Sequence, residues 1–233
     1  MSKQELSLLQ KKLGYEFKEK NILKNALTHS SYANEKHWAY SRNNERLEFL
    51  GDAVLELVSS DFIFKHHPQM EEGKMTKLRA SLVCETSLAS SAREIELGTY
   101  LYLGKGEYVT GGNKRDSILS DAFEALIGAM YLDGGLEPAR RFIQQYVLSG
   151  IEQKQLFHDS KTVLQELVQS RFHEGTNISY PLINETGPDH NKTFEVVCQV
   201  NDVQYARGTG HTKKAAEQKA AYETIVILRQ ENK

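Results

Sequence analysis

The longest coherent pattern in the chain runs from Asn44 to about Ser60, where apolar and acidic positions sort onto opposite sides of a helix. Leu47, Leu50, Val54, Leu57 and Val58 recur at helical spacing and make an apolar stripe. At about 100° per residue, Glu45, Glu48, Asp52 and Glu56 fall within an arc of roughly 80° on the other side. No Lys or Arg stands four residues from any of these carboxylates. Like charges at such spacings cost an isolated helix roughly 0.2–0.5 kcal/mol per pair. The pattern therefore implies a cation, or a basic group brought from elsewhere in the fold. A solvated acidic face is the plain alternative.

The same periodicity predicts short helices over residues 4–13 and 17–27, and a polar turn and cap at Thr28-His29-Ser30-Ser31. For His29, capping a helix end is the simpler role than ligation. Residues 33–43 are polar and aromatic and read as a loop. The acidic helix extends towards His66 and is closed by Pro68. A long helix is predicted from Lys74 to Leu97, then a glycine-rich loop over Tyr100 to Gly112. Ser117 to Leu132 is apolar almost all round, the pattern of a helix buried in a core. Glu137 to Val147 gives one more helix.

Beyond Ser149 the character changes. Residues 151–158 are polar and aperiodic, a linker. Ser160 to Phe172 is an amphipathic helix. Strand-like runs follow at Ile178–Glu185, Thr193–Val200 and Val203–Thr209, the last two joined by an Asn201-Asp202 hairpin turn. A final Ala-rich helix covers Thr212 to Leu228. The expected architecture is an all-α N-terminal domain over residues 1–150, then a small α+β domain of order α-β-β-β-α over residues 159–230.

The buried helix carries the second chemical signal. Its only charges are Asp121 and Glu124, three residues apart and so on one face. A buried carboxylate needs a cation or full hydrogen bonding, because an unpaired buried charge costs several kcal/mol. If the two helices pack face to face, Glu48 and Asp52 meet Asp121 and Glu124. Four carboxylates without His or Cys make a hard, all-oxygen site, suited to Mg²⁺ or Mn²⁺ rather than zinc. Such an ion lowers the pKa of a bound water and stabilises a leaving oxygen in phosphodiester hydrolysis. A salt-bridge network with Arg46, Arg79, Lys114 or Arg115 is the structural alternative. No EF-hand loop supports calcium storage.

Composition narrows the classes without choosing among them. The chain has 233 residues, 39% hydrophobic and 26% charged, with a formal net charge of −2. That balance gives no global argument for nucleic acid, so the argument must be local. Cys84 and Cys198 form no CxxC pair and read as reduced thiols. The N-terminus lacks the apolar run of a signal peptide, and no segment reaches a membrane span, so a cytoplasmic protein is expected. In the second domain Lys213 and Lys214 open a helix, where dipole and free N–H groups favour phosphate. Gln165 and Glu166 occupy the polar side of the preceding helix, placed to bond 2′-hydroxyls. Gly187–Asn191 is a polar loop able to enter a groove, and Gly208–His211 allow close backbone approach to a ligand. Duplex RNA is read by shape, phosphates and 2′-hydroxyls in this way. The domain's basic residues do not outnumber its acidic ones, so the basic surface is confined to one face.

These residues resemble a known family. Asn44-Glu45-Arg46-Leu47-Glu48-Phe49-Leu50-Gly51-Asp52-Ala53-Val54-Leu55 resembles the signature of ribonuclease III, and Asp121-Ala122-Phe123-Glu124-Ala125-Leu126-Ile127-Gly128 resembles its second acidic motif. Leu27–Tyr32 is similar to a further segment. Lys161–Glu166 and Gly210–Glu217 resemble the double-stranded-RNA-binding domain, in the order of the bacterial enzyme. The resemblance implies a Mg²⁺-dependent endonuclease for double-stranded RNA, with Mn²⁺ able to substitute. It implies a homodimer through the N-terminal domain, 5′-phosphate and 3′-hydroxyl products, and a role in processing ribosomal and other RNA precursors. It places Asp52 and Glu124 as catalytic residues, and Glu48, Asp52, Asp121 and Glu124 as metal ligands. Glu45 and Glu72 match accessory acidic positions, and Gln165, Glu166, His190, Lys213 and Lys214 match RNA contacts. Glu217 departs from relatives that carry Lys there. A duplex-RNA-binding protein without catalysis and a helical phosphohydrolase of small nucleotides are the competing classes.

Overall fold

A computed structural model describes residues 3–151, 156–157, 159–172, 175–187 and 192–230. The chain divides into two compact units, residues 1–151 and 152–233. Residues 152–155 and 158 of the 151–158 linker, and His190, lie outside the described residues. No helix among the described residues is long and apolar enough to cross a membrane.

The first unit is helical: α1 Lys3–Leu13, α2 Lys20–Ala26, α3 Ser30–Glu35, α4 Glu45–His66, α5 Glu72–Leu82, α6 Glu85–Glu94, α7 Lys105–Val109, α8 Asp116–Gly134 and α9 Leu136–Ile143. A π-helical turn over Gln144–Leu148 continues α9. The hydrophobic helix α8 is the hub. Ile118, Leu119, Ala122, Phe123, Ala125, Leu126, Ile127, Ala129 and Met130 are all buried in it. It packs on α2, α4, α6 and α9, and most extensively on α4. At its far end the Asp133 carboxylate accepts the Tyr15 hydroxyl (2.6 Å) and the N–H groups of Lys18 and Glu19 (2.9 and 2.8 Å). That carboxylate ties the chain entering α2 to the core.

Three expectations change. The single helix over 74–97 is two helices. Cys84 is extended (φ −71°, ψ 156°) and opens α6, while the Ser81 carbonyl accepts the Ser87 hydroxyl at 2.8 Å instead of continuing a helix. Hydroxyl side chains compete for backbone groups in this way and break helical runs. Residues 33–43 hold the end of α3 and a 3₁₀ turn at Tyr40–Arg42. The glycine-rich stretch forms α7, with Gly104 as its N-cap and Gly111 in the left-handed region (φ 79°) just beyond it.

The second unit follows the expected order: α10 Ser160–Phe172, β1 Ile178–Ser179, β2 Leu182–Thr186, β3 Thr193–Val200, β4 Val203–Gly210 and α11 Lys213–Gln230. The first strand is in two pieces, separated at Tyr180-Pro181, and both pair antiparallel with β3. Proline cannot donate to a ladder and is tolerated at such an edge. β3 and β4 pair from Phe194↔Gly210 to Val200↔Val203. Asn201 and Asp202, both at positive φ, make the two-residue turn between them. Leu164, Val168, Val196, Cys198, Val200, Ala216, Ala220, Ile225 and Leu228 form the core between helices and sheet. Gly208 and Gly210 let β4 lie close against α11: a Cβ on Gly208 would stand 2.1 Å from the Ala216 carbonyl oxygen.

Candidate active site and RNA-binding face

Two glycines set the distance between the acidic helices. A Cβ on Gly51 would stand 1.8 Å from the Glu124 carbonyl oxygen, and one on Gly128 would stand 2.2 Å from the Leu47 carbonyl oxygen. Each helix thus lays a bare backbone against the other's carbonyl, reciprocally. Sequence periodicity gives this contact no weight, because glycine reads as a gap in the apolar stripe. Its signal is a Gly one residue before Asp52 and another four residues after Glu124, each inside a long helix that would be more stable with Ala there.

The close crossing brings Glu48 and Asp52 on α4 towards Asp121 and Glu124 on α8. Asp52 is exposed and the other three are half-buried. Burial, followed by the charges of Asp52, Glu48 and Asp121, pushes Glu124 up to about 8. Burial and the charges of Asp121, Glu45 and Asp52 push Glu48 up to about 7. Burial also raises Asp121, with Glu85 adding to it and Ser120 and His29 opposing. Among the described residues, no Lys or Arg lies within ion-pair distance of these four. Two of the basic groups that could have neutralised them are engaged elsewhere. Arg79 pairs with Glu56 at 2.7 Å and bonds the Ser60 hydroxyl, and Arg115 pairs with Glu107 at 2.5 Å. Glu56 is therefore structural, while the four remaining acids share an uncompensated negative field.

Among the described residues, no three acidic, imidazole or thiol groups close into a ready-made metal cage. The donor set nonetheless suits a divalent cation. It is all oxygen, lacks counter-charge and is partly desolvated, so a hard ion would relieve repulsion that nothing else here relieves.

Accessory groups border this cluster. Glu45 opens α4 and is held low by the Tyr40 hydroxyl, with Ser30, Asn43 and His29 assisting against its burial. His29 caps α3: Nδ1 accepts the Ser31 N–H at 3.3 Å and lies 2.8 Å from the Ser31 hydroxyl. The Ser31 oxygen accepts the Gly104 N–H at 3.0 Å, leaving its own hydrogen for Nδ1, so the neutral ring carries its proton on Nε2. Capping is thus its structural role, and the ring lies close to Asp121 and Glu45. Glu72 is not brought into the cluster. It sits exposed at the start of α5, accepts the Thr76 hydroxyl at 3.0 Å, and lines an α4–α5 cleft of about 520 Å³ with Leu57, Phe64 and Arg79.

In the second unit the expected contacts sit on exposed positions of both helices. Gln165 and Glu166 are exposed on α10, and Gln165 lines a shallow groove with Thr162, Gln169 and Asn177. Lys213 and Lys214 are exposed at the start of α11, whose Ala215 N–H is capped by the Thr212 hydroxyl at 3.1 Å. Among the described residues neither lysine has a carboxylate partner. Glu217 is not a bare charge: it pairs with Lys161 at 2.7 Å, and that ammonium lies 4.9 Å from the Tyr180 ring centre.

A helical unit with a two-helix carboxylate cluster, joined to an α-β-α unit with a lysine-flanked helix start, defines a nuclease coupled to a duplex-RNA-binding module. Comparison with known proteins agrees. Residues 19–151 match the model of the Ribonuclease-III-like family, and residues 160–228 match the double-stranded RNA binding motif. The chain is 51% identical to Ribonuclease 3 of Caldanaerobacter subterraneus subsp. tengcongensis over 231 residues, covering 96% of this chain and 98% of that protein. It is 45% identical to Ribonuclease 3 of Streptococcus uberis, covering 97% of this chain and 98% of that protein. A crystal structure of the nuclease domain of ribonuclease III from Campylobacter jejuni superposes with a TM-score of 0.57 at 44% identity, covering 63% of this chain and 95% of that chain. The chain belongs to the ribonuclease III family and is an endoribonuclease of that type with a double-stranded-RNA-binding unit.

Proposed function

We propose that the chain hydrolyses phosphodiester bonds in double-stranded RNA with Mg²⁺ held by Glu48, Asp52, Asp121 and Glu124, Mn²⁺ being able to replace it. The observation that carries this reading is the carboxylate cluster at the α4–α8 glycine crossing, uncompensated by any base within ion-pair distance among the described residues. The bound ion would supply an activated water and stabilise the departing oxygen. The chain's own contribution is to fix four oxygen donors on two helices that cannot slide apart, with Asp52 and Glu124 at the reacting phosphate. Glu45 and Glu72 border the path of the RNA. Gln165, Glu166, His190, Lys213 and Lys214 hold the duplex through its sugars and phosphates. Cleavage leaves 5′-phosphate and 3′-hydroxyl ends, in the maturation of ribosomal and other RNA precursors in the cytoplasm.

A homodimer completes this reading. Phe49 is 81% exposed and Phe64 70% exposed on α4. Phe49 borders a cleft of about 710 Å³ with Ile22, Tyr40, Leu50 and Leu132. With exposed Leu132 beside it, Phe49 gives this cleft a contiguous apolar edge that suits a protein–protein contact. The region of dimer formation in the C. jejuni nuclease domain names the same kind of assembly for that relative. Sedimentation tests it: the chain should run as a dimer and Phe49→Asp as a monomer, whereas a monomeric wild type would contradict it. The activity itself is tested by incubating the purified chain with a labelled RNA duplex and mapping the ends. Cleavage with Mg²⁺, none with EDTA, and ligatable 5′-phosphates support it. An intact duplex under both Mg²⁺ and Mn²⁺ would sink it.

A further inference from the structure

Three aromatic rings and three cations gather beside the N-terminal end of α4. Tyr32 stands 5.4 Å from Trp38, edge-on at 78°, and 5.4 Å from Tyr102. The Arg42 guanidinium lies 4.2 Å from the centre of Trp38, the chain's single tryptophan. The Lys24 ammonium lies 5.4 Å from Trp38 and 5.8 Å from Tyr102, and Lys36 lies 5.4 Å from Tyr32. Of the acids near these rings, Glu35 is occupied, accepting the Lys105 backbone N–H at 2.7 Å and pairing with Lys36 at 3.8 Å, and Glu5 lies close enough to Tyr102 to act on its hydroxyl. Among the described residues, Lys24 and Arg42 have no carboxylate within ion-pair distance. The rings hold Lys24 and Arg42 by their π-faces and leave their N–H donors unspent.

The platform is fixed to the acidic helix. Arg42 ends the 3₁₀ turn that passes through buried Asn43 and Asn44 into Glu45. The Asn44 N–H donates to the Thr28 carbonyl at 2.8 Å, and Tyr102 exchanges backbone bonds with Leu27 and His29 at 2.8 and 3.1 Å. A cleft with an uncompensated negative field repels a polyanion. A polyanionic substrate therefore needs cations on the same unit, outside the reach of the acids. A guanidinium stacked on an indole is pre-oriented to bond phosphate oxygens in pairs.

We infer that Lys24, Arg42 and the Trp38 ring between them form a second, sequence-independent contact for the phosphodiester backbone of the RNA duplex on the nuclease unit. This rests on the duplex-RNA reading above. The test measures binding of the full chain, in EDTA, to a duplex of about 30 base pairs across a salt series, longer than the roughly 16 that an RNA-binding unit spans alone. The double variant Lys24→Gln, Arg42→Gln should bind several-fold more weakly, and its salt slope should fall by about 1.4–1.8, at roughly 0.7–0.9 per phosphate contact. Lys24→Arg with Arg42→Lys should keep the slope. If the double variant folds poorly, Arg42→Gln alone should lose about 0.7–0.9. An unchanged slope in the neutral variants, while the wild type binds, overturns the proposal. An equal loss in the charge-preserving pair also overturns it, since the effect would then be structural. A wild type that neither binds nor cuts duplex RNA overturns the duplex-RNA reading, and this contact with it.

Discussion

At the scale of single residues, Glu48 and Glu124 link charge to stability. Both carboxyls are raised above their ordinary value of 4.5 by burial and by neighbouring carboxylates, to about 7 and about 8. Between the unfolded and folded values the native chain holds more protons than the unfolded chain. Without a cation, the contribution of these two groups to stability is therefore most favourable below about pH 4.5 and falls as pH rises towards about 8. A divalent ion replaces the protons, so its stabilisation grows in the same direction. The melting temperature in EDTA should fall between about pH 5 and about pH 8.5, and Mg²⁺ should raise it more at the higher pH. A metal-free melting temperature that rises across this window, with no pH dependence of the Mg²⁺ shift, would contradict the assignment. Glu56 shows why one stripe of acids splits into two roles. Its partner Arg79 comes from α5, twenty-three residues on in sequence, and no spacing rule on α4 announces it.

At the scale of elements, the crossing of α4 and α8 decides the geometry. Gly51→Ala and Gly128→Ala each drive a methyl into a carbonyl oxygen. Overpacking of this kind costs about 1–3 kcal/mol, more than the roughly 0.8–1.0 kcal/mol that Ala gains as a helix former. Both variants should unfold at lower urea, and both should cut RNA more slowly because the acid pairs are spread. Gly73 in α5 meets nothing within 4 Å, so Gly73→Ala should stabilise by up to about 1 kcal/mol. Equal behaviour of the three alanine variants in urea would refute the close crossing. The helix α4 and the order of the second unit were legible in the sequence from their periodicity, and the burial of α8 from its being apolar almost all round. The break at Cys84 was hidden, since it depends on Ser81 and Ser87 taking backbone bonds. The α4–α8 contact was hidden too. Hydrophobic periodicity records what a side chain buries, and this interface is built where side chains are missing. The pairing of acids was inferable from their isolation from bases, but the distance between them was not.

At the scale of the whole molecule, the two units divide the work of binding and cutting. Lys213 and Lys214 stand exposed at a capped helix start. Lys213→Ala with Lys214→Ala should lower duplex affinity and reduce its salt slope by about 1.4–1.8 while leaving the Mg²⁺ response intact. An unchanged slope would mean that these lysines face only water. In the proposed function, four acids on two helices act as one divalent-ion site for cutting duplex RNA. The most direct measurement is the rate of duplex cleavage against Mg²⁺ concentration for the wild-type chain and for Glu124→Gln. The wild type should show no cleavage without metal and saturate as metal is added. Glu124→Gln should remain folded, need more metal, and cut about 10²–10³-fold more slowly, as loss of several kcal/mol of metal-borne stabilisation requires. A Glu124→Gln chain with wild-type rate and wild-type metal dependence would contradict the account.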